Sequence, residues 1–377
     1  MIKVAIIAGE PSGDLLASGL ISELKKQTHN NIKFMGIGGN LMAREGFVSS
    51  YDMQSLSVMG IFEIIKHLPK ILIIRAKIIK KIIEFKPDVF IGIDLPDFNF
   101  YVEKSLKKHG IKTVHYISPT IWAWRYERIH KIKTSTDLML CAFPMEEVLY
   151  KNEGIKAKFV GHILADNIEQ DIDTESYKRK LELKDKVFTI LVGSRVGEIK
   201  SLAKIFIESC NIINADIENS IFLFPFANQE TCNLFNKFLQ SSIIKFKYKL
   251  LLNQTSDAIK ASDMVLAKSG TVTLMVALCK KPLIISYKIS KLTEWIVRRK
   301  IKIKYAGLPN ILLNEPIVDE VLQNDANAKN LAIHFIKLYH DKNRQKYMIS
   351  KFDQLHNLLK HNASFEAAKA ILNLLER

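Results

Sequence analysis

Short apolar runs alternate with amphipathic helical segments along the 377-residue chain, and this alternation limits the possible folds more than any other feature. The runs are rich in Val and Ile and have the length of buried parallel strands. A first series of strands is predicted at 3–8, 32–35, 89–93, 112–117, 138–142 and 158–160. After a polar stretch near 166–176, a second series follows at 187–192, 221–224, 249–252, 264–267 and 283–286. Two such series predict an α/β protein with two doubly wound, Rossmann-like parallel-sheet domains facing a cleft, followed by a helical tail over 326–377.

Composition narrows the class of protein. Apolar residues make up 48% and charged residues 25% of the chain, which excludes a disordered or fibrous protein. No window of about 20 residues is free of charge, and residues 1–9 resemble a strand rather than a secretory leader, so we expect neither a spanning helix nor secretion. The four cysteines are far apart, which is typical of reduced thiols and not of disulfides or a zinc site; they are Cys141, Cys210, Cys232 and Cys279.

The charge balance favours an anionic partner. The chain has 55 Lys and Arg against 39 Asp and Glu, a net charge of +16. Nucleotides, phospholipids and nucleic acids would all suit this charge, and it does not choose among them. Solvated surface lysines explain most of it.

Ligands of doubly wound sheets bind at the carboxyl ends of the strands, so the loops there are the places to search. Gly9–Asp14 and Gly36–Asn40 follow the first two predicted strands. Glycine turns and the amides of a following helix suit an anion or a sugar hydroxyl, which makes Ser12 and Gly13 candidates. Neither loop has the dinucleotide-binding spacing, and two ordinary strand–helix turns explain them equally well.

The third strand-end loop carries two carboxylates. Asp94 stands at the edge of the predicted strand, where burial would raise its pKa toward that of a general base. Asp97 would orient a substrate or cap the next helix. Trp122 and Trp124, beside Arg125, follow the next strand and could form a wall for a sugar or acyl chain, or a packed corner of the core.

Two loops of the second series suit phosphate. Ser194 and Arg195 follow a glycine after its first strand, and Ser269–Thr271 follow a later one. Hydroxyls, amides at helix starts and the planar guanidinium are phosphate donors. Helix capping explains either loop alone, but two such loops at one edge favour phosphate binding. Between the two series, His162 is a candidate to contact a diphosphate or the other domain.

A basic amphipathic segment at 58–85 could lie on an anionic membrane or pack as a core helix with a solvated face. Its apolar start is the candidate membrane patch: Val58, Met59, Ile61 and Phe62. A second basic cluster at 295–304 could serve the same surface or a phosphate. Asp171 and Asp173 lie in the polar stretch and are read as linker residues, so no metal site is predicted.

The order of these segments resembles the lipid A disaccharide synthase family over nearly the whole chain. The motifs Gly-Ile-Asp-Leu-Pro-Asp-Phe-Asn at 92–99 and Ser-Pro-Thr-Ile-Trp-Ala-Trp at 118–124 carry most of the specificity. The resemblance implies a GT-B inverting glycosyltransferase that needs no metal or cofactor. It would transfer 2,3-diacylglucosamine from UDP-2,3-diacylglucosamine to the 6-hydroxyl of 2,3-diacylglucosamine 1-phosphate (lipid X), releasing UDP. The implied protein is a cytoplasmic homodimer, peripheral on the anionic inner face of the bacterial inner membrane, without a nucleic-acid partner.

The resemblance also assigns domains and residues. It implies an acceptor domain at 1–165, a UDP-sugar domain at 166–345, and a helical segment at 346–377 that crosses back or is exchanged in a dimer. Asp94 would be the catalytic base. The implied substrate-binding residues are Ser12, Gly13, Asp97, Asn99, Trp124, His162, Ser194, Arg195, Asn228, Ser269, Gly270, Thr271, Asn310, Glu320 and Gln323. Whether Arg195 meets the donor or the acceptor phosphate stays open.

One departure from the family pattern concerns the ribose. The family usually has Glu where this chain has Met275, and that Glu is expected to bind the ribose. A thioether is a poor acceptor for a hydroxyl, so either Glu320 or backbone groups take this contact, or UDP binds more weakly.

Two other functions remain open on the sequence. A UDP-sugar epimerase on the same scaffold would need neither a lipid acceptor nor the apolar patch. A basic protein without enzymatic activity that binds nucleic acid or membrane would explain the charge but not the strand-end loops.

Overall fold

The computed structural model describes residues 1–56, 61–289 and 303–376, and of 61–67 only the backbone. The chain divides into two compact units. The first comprises Met1–Asp166 with Leu359–Arg377, and the second comprises Asn167–Leu358. No helix in the described ranges is long and apolar enough to cross a membrane.

The first unit is built on a parallel seven-stranded sheet with the order β3-β2-β1-β4-β5-β6-β7. Its strands are β1 (Ile2–Ala8), β2 (Ile32–Gly38), β3 (Ser49–Asp52), β4 (Val89–Ile93), β5 (Lys112–Tyr116), β6 (Leu138–Cys141) and β7 (Ala157–Phe159). The helices before the crossing into the second unit are α1 (Pro11–Gln27), α2 (Asn40–Arg44), α3 (Ile61–Phe85), α4 (Pro96–Lys107), α5 (Ile129–Ser135), α6 (Pro144–Asn152) and α7 (Ile163–Asn167).

The second unit is built on a parallel six-stranded sheet with the order β10-β9-β8-β11-β12-β13. Its strands are β8 (Lys186–Leu191), β9 (Ser220–Phe226), β10 (Lys247–Leu252), β11 (Met264–Lys268), β12 (Leu283–Tyr287) and β13 (Asp319–Leu322). The helices are α8 (Thr174–Lys180), α9 (Val196–Asp216), α10 (Gln229–Gln240), α11 (Thr255–Ala261), α12 (Val272–Leu278), α13 (Leu308–Leu313), α14 (Ala328–His340) and α15 (Lys342–Leu359). The last helix, α16 (Ala363–Leu375), returns to the first unit.

Alternation along β1 shows why the first sheet is covered on both faces. Val4, Ile6 and Ala8 pack in one core with residues of α1 and α16, while Ala5 and Ile7 pack in a second core with residues of α3 and α4. Successive side chains of a strand point to opposite faces, so a continuous apolar run buries both. Near-continuous apolar strands with helices on both faces are the pattern expected of a doubly wound domain.

The predicted strands are present, all but β4 with shifted ends, and two further strands, β3 and β13, were not predicted. Both are edge strands of four residues, and β13 begins with two acidic residues. Short polar edge strands carry little apolar periodicity, so their pairing is decided by the neighbouring strand. The tail predicted as helical is three helices, and the last turn between them is made by Asn362 in the left-handed region (φ 56°).

Both sheets reverse their strand order at the same relative place. In the first unit, β1 lies between β2 and β4; in the second, β8 lies between β9 and β11. The chain leaves such a pair of central strands in opposite directions, which opens a crevice at their carboxyl ends. The loops after β1 and β4, and those after β8 and β11, are therefore where each unit has room for a ligand.

Candidate active site

Asp94 lies in a constrained turn at the carboxyl end of the buried strand β4. Asp94 and Leu95 both have left-handed backbones (φ 51° and 46°) before Pro96 begins α4. The Asp94 amide donates to the carbonyl oxygen of Tyr116 at 3.0 Å. No hydrogen-bond or ion-pair partner of its half-buried carboxylate is found in the described part of the chain. Backbone strain of this kind occurs at functional sites, and here it presents an unshared carboxylate at the switch point.

Asn99 holds this turn. It is fully buried on α4, and its Nδ2 donates to the carbonyl oxygens of Ile93 (3.3 Å) and Asp94 (2.8 Å). Its Oδ1 is buried and has no partner among the described residues. Asn99 thus lies against the Asp94 turn, and its Nδ2 group is hydrogen-bonded to the backbone of that turn.

The β1–α1 loop packs beside this turn. A Cβ placed on Gly9 would overlap the end of the Leu95 side chain, so a larger residue here would require Leu95 to move. Gly13 is buried against Ile93, and Ser12 is exposed at the start of α1. The pairing of β1 with β4 therefore brings Ser12 and Gly13 to the same edge as Asp94.

Asp14 joins the two glycine-containing loops. Its buried carboxylate accepts hydrogen bonds from the amides of Gly39 (3.0 Å), Leu41 (2.9 Å) and Met42 (3.1 Å). Three amides at the start of α2 are thereby satisfied by one side chain from α1. The acid of the Gly9–Asp14 motif is a structural anchor of the loop after β2.

The two tryptophans after β5 differ in environment. Trp122 Nε1 donates to Glu146 Oε1 at 3.0 Å, which makes this residue part of a packed corner. Trp124 is 44% exposed, and the Arg125 guanidinium lies 4.2 Å from its ring centroid. Of the two, Trp124 is the one available to a ligand.

The Glu146 carboxyl gives the first unit a pH-dependent stability. Burial raises its pKa from 4.5 to about 7, against hydrogen bonds from Trp122 and the Phe143 amide that lower it. The folded state binds this proton more tightly than the unfolded state, so stability falls as the pH rises between 4.5 and 7, by about 3 kcal/mol from this group.

We expect Glu146→Gln to remove that contribution, because an amide does not ionise. The difference in unfolding free energy between variant and wild type, measured by urea denaturation, should shift in favour of the variant from pH 5 to pH 8. Parallel curves for the two proteins would contradict this assignment.

Asp97 and His162 are engaged within the first unit. The exposed Asp97 carboxylate accepts two hydrogen bonds from Arg128 Nη2, at 2.9 and 3.0 Å. His162 Nδ1 accepts from the Leu164 amide, and its ring stacks on Phe143 at 5.6 Å between centroids. Burial lowers the pKa of His162 to about 4, so at neutral pH the ring is uncharged and carries its proton on Nε2.

In the second unit, a cavity of about 210 Å³ lies at the switch point. It is lined by Leu191, Gly193, Ser194, Glu198, Pro225, Ala227, Thr255, Lys268, Gly270, Thr271 and Val272. The loops after β8, β9 and β11 contribute to it, as the strand order requires. Ser194 and Arg195 are exposed beside it.

Glu198 organises this cavity. Its Oε2 accepts from the amides of Ser194 (3.0 Å) and Arg195 (3.3 Å), while its Oε1 contacts Lys268 Nζ at 2.8 Å. Burial would raise the pKa of Glu198, but Lys268 and the two amides outweigh it and hold the pKa below its usual value. The two amides are thus occupied, and the Ser194 hydroxyl, the Arg195 side chain and Lys268 are the donors left for an anion.

Three other predicted residues of this unit make contacts of their own. Ser269 Oγ donates to the Ala306 carbonyl oxygen at 2.6 Å, Asn228 caps α10 at the Thr231 amide (2.9 Å), and Gln323 Oε1 accepts from the Ile289 amide (2.9 Å). Gly270 and Thr271 line the cavity.

Asn310 and Glu320 form one network. Asn310 is buried and donates to Glu320 Oε1 at 2.9 Å and to the Val318 carbonyl oxygen at 2.8 Å. Glu320 also accepts from the amides of Ala306 and Gly307, at 2.8 Å each. Both carboxylate oxygens of Glu320 thus hold the loop before α13, which weakens the expectation that Glu320 replaces the missing glutamate at Met275.

The predicted membrane patch of Val58, Met59, Ile61 and Phe62 lies outside the described side chains. So does the basic cluster at 295–304, apart from the residues after 302. Farther along α3, Leu68, Leu72 and Ile73 are exposed (45%, 41% and 54%). In the described ranges, no group of three or more His, Cys, Asp or Glu side chains is placed to hold a metal ion.

Sequence reasoning missed Lys268 and Glu146. A lysine at the end of an otherwise apolar strand was a usable signal for Lys268, because such a residue reaches the carboxyl edge of the sheet. For Glu146 the local pattern indicates only a helix cap at the Phe143 amide, since its other partner, Trp122, is 24 residues away.

The two parallel sheets and their strand orders define a two-domain protein of the GT-B fold, with a candidate site at each switch point. Solved structures of the same fold include S. aureus MnaA in a co-structure with UDP (TM-score 0.65, 13% identity, 100% of this chain and 96% of that one). The UDP-GlcNAc 2-epimerase from Neisseria meningitidis bound to UDP-GlcNAc has a TM-score of 0.66 at 15% identity, covering 100% of both chains. Likeness at this level of identity is a likeness of fold.

Sequence comparison gives the family. The family model for lipid-A-disaccharide synthetase matches residues 4–371. The lipid-A-disaccharide synthase of Chromobacterium violaceum is 42% identical over 376 residues (99% of this chain, 97% of that protein), and that of Dechloromonas aromatica is 40% identical over 378 residues (99% of each). The chain belongs to the lipid-A-disaccharide synthase family and is a glycosyltransferase, which confirms the resemblance predicted from the motifs.

Proposed function

We propose that the protein transfers 2,3-diacylglucosamine from UDP-2,3-diacylglucosamine to the 6-hydroxyl of lipid X, giving lipid A disaccharide 1-phosphate and UDP. The unshared Asp94 carboxylate, held in a strained turn at the switch point of the first unit, is the observation that carries the proposal. Family membership supplies the reaction. Solved structures of the same fold with bound UDP or UDP-GlcNAc support a UDP-sugar as the donor.

The mechanism we propose uses Asp94 as a general base. Its carboxylate takes the proton of the acceptor 6-hydroxyl while the oxygen attacks the anomeric carbon of the donor. The bond from that carbon to the UDP oxygen breaks, and UDP leaves with the electron pair. One displacement inverts the anomeric configuration and needs no covalent intermediate.

The second unit would bind the donor diphosphate. Ser194 and Lys268 line the 210 Å³ cavity together with Glu198, which pairs with Lys268, and the exposed Arg195 follows Ser194 directly in the chain and would add a positive charge and planar donors. Negative charge grows on UDP as it leaves, and preorganised cations stabilise it. Because these side chains supply that charge, we propose that the transfer is independent of a metal ion.

The acceptor is an amphiphile, so we propose that the protein works in the cytoplasm, at the anionic inner face of the inner membrane. Net charge of +16 and the exposed apolar residues of α3 support this location. The homodimer remains a prediction, which light scattering of the purified protein would test.

The assay that tests the reaction combines purified protein with both acylated substrates. We expect UDP and the disaccharide 1-phosphate only when lipid X is present. Release of UDP without lipid X would indicate hydrolysis of the donor and contradict the proposed transfer. NMR detection of an epimer from UDP-N-acetylglucosamine alone would instead indicate the epimerase.

Removing the Arg195 guanidinium should weaken donor binding. We expect Arg195→Gln to raise the KM for the UDP-sugar about 10- to 100-fold, the range of a charge-assisted hydrogen bond. Steady-state kinetics at saturating lipid X would measure this change. Arg179→Gln is the matched control, because Arg179 is 71% exposed in the same unit and makes one long ion pair with Asp173 (3.7 Å). Equal KM values in the two variants would contradict the assignment.

A further inference from the structure

Another cavity, which lies in the first unit, has no role in the chemistry described above. It measures about 230 Å³ and lies among α3, α4 and α5. Its lining is Arg75, Pro96, Asp97, Phe100, Tyr101, Lys104, Arg128, Lys131 and Thr134. We name the four cationic residues of this lining, Arg75, Lys104, Arg128 and Lys131, the basic pocket. A single carboxylate, that of Asp97, faces four cations, so the cavity carries a strong local excess of positive charge.

The two arginines of the basic pocket are held in place before any ligand arrives. The Arg75 guanidinium lies 3.8 Å from the ring centroid of the exposed Tyr101, which fixes its plane. Arg128 uses only Nη2 to bind Asp97, at 2.9 and 3.0 Å, so Nε and Nη1 keep their donors. Arg128 is also largely buried, with 18% of its side chain exposed. Planar guanidinium groups held in this way match the oxygens of a phosphate.

The lysines complete the set without competing partners. Lys104 and Lys131 are exposed, and neither has an ion-pair or hydrogen-bond partner in the portion of the chain that is described. Most basic residues at a protein surface are solvated singly. Four converging on one cavity, two of them with restricted guanidinium planes, form a site for a dianion.

The position of the basic pocket fits the acceptor rather than the donor. Pro96 and Asp97 line it, and they follow Asp94 within three residues. Arg75 comes from α3, the helix that also exposes Leu68, Leu72 and Ile73. A ligand with a phosphate in the basic pocket would therefore have an apolar surface and the Asp94 carboxylate within the same unit.

We propose that the basic pocket binds the phosphomonoester of the acceptor, and so orients its sugar with the 6-hydroxyl toward Asp94. This inference rests on the proposed function, since that function supplies an acceptor with a phosphate on C1. In a pyranose ring the ring oxygen is bonded to C1 and to C5, and C5 carries C6. The phosphate on C1 and the 6-hydroxyl therefore flank the ring oxygen, so holding the phosphate restricts where the 6-hydroxyl can lie. Arg195 is then left to the donor, which answers the question that the sequence left open.

The experiment compares two acceptors that differ only at C1: 2,3-diacylglucosamine 1-phosphate and the methyl glycoside with the same acyl chains. We expect Arg75→Gln and Arg128→Gln each to raise the KM for the phosphorylated acceptor about 10- to 100-fold, with the KM for the donor unchanged. Rates with the methyl glycoside should match those of the wild type. Lys108→Gln is the control, because Lys108 is exposed at the end of α4 and does not line the cavity.

Two outcomes would overturn the proposal. Equal increases in KM for both acceptors would mean that the arginines do not recognise the phosphate. An unchanged preference between acceptors, with weaker co-sedimentation on anionic phosphatidylglycerol vesicles, would assign the basic pocket to a lipid headgroup. Arg128→Lys keeps the positive charge but loses the planar donors. It is the variant to measure if Arg128→Gln does not fold.

A binding measurement separates this inference from the proposed function. Calorimetry with a short-chain diacylglucosamine 1-phosphate should show binding to the wild type and a loss of about 10-fold or more in Arg75→Gln. If the wild type binds the ligand but forms no disaccharide, the proposed function is rejected and the phosphate site is supported. If disaccharide forms but the wild type and Arg75→Gln bind the ligand equally, the phosphate site is rejected and the proposed function is supported.

Discussion

Replacing Asp94 with Asn is expected to lower kcat about 10²- to 10⁴-fold and to leave the fold intact, the range typical of a lost general base. The amide has nearly the shape of the carboxylate but cannot accept the proton of the acceptor hydroxyl. The carboxylate has no partner among the described residues, so its replacement should break no ion pair. The Asp94 backbone contacts to Tyr116 and Asn99 remain possible in the variant. Disaccharide formation, measured at saturating concentrations of both substrates, gives the result.

Asp88→Asn is the matched control for this variant. Asp88 precedes β4 as Asp94 follows it, and its Oδ2 accepts from the Lys3 amide at 2.7 Å, a bond that an asparagine oxygen can keep. It stands at the amino end of the strand, away from the switch point. Turnover near the wild-type rate in Asp94→Asn, or a comparable loss in Asp88→Asn, would remove Asp94 from the role of base.

Asp14→Ala is expected to lower the free energy of unfolding of the first unit by about 3 to 5 kcal/mol. The substitution leaves the amides of Gly39, Leu41 and Met42 without their acceptor, in a site where the side chain of Asp14 is buried. Each buried donor left unpaired costs about 1 to 3 kcal/mol, and partial hydration reduces the sum. Urea denaturation followed by circular dichroism would measure the loss.

Asp52→Ala provides the comparison. Asp52 accepts from one amide, that of Gln54 at 2.9 Å, at an exposed turn of the same unit. Its loss should cost about 1 kcal/mol, as for other exposed caps. A loss in Asp14→Ala no greater than that in Asp52→Ala would show that the three hydrogen bonds of Asp14 contribute little.

The strands of the two sheets could be predicted because each is an apolar run between glycine, proline or polar residues. The five residues of β4 (Val89–Ile93) are all buried, and their limits were predicted correctly. The short strands β3 and β13 could not be predicted, because β3 has no aliphatic residue and β13 has only two, Val321 and Leu322, which is too few for a distinctive periodicity. Their assignment comes from pairing with β2 and β12.

The candidate site likewise has a part that could be predicted from the sequence and a part that could not. Asp94, Arg195 and the glycine loops stand directly after apolar strands, so the rule for doubly wound sheets identified them as candidates. What each side chain does there could not be read locally. Asn99 binds the backbone under Asp94, and Asn310 and Glu320 hold one another, because their partners lie at positions that only packing brings close.

The basic pocket shows most clearly what could not be predicted from the sequence alone. Arg75 and Arg128 are 53 positions apart in the sequence, and each alone is one of many cations on a chain of net charge +16. They line one cavity because α3, which carries Arg75, and α5, which follows Arg128 directly, both pack against α4.

By itself, the order of residues determined the α/β class, the two series of strands, the loops that face ligands and the family, since all of these depend on local pattern or on motifs. The tertiary structure decided which loops share a switch point, which polar side chains are already occupied, and which charges converge. Strand order and helix packing set those features, and they arise from contacts between residues far apart in the chain, whose pairing no local stretch of sequence contains.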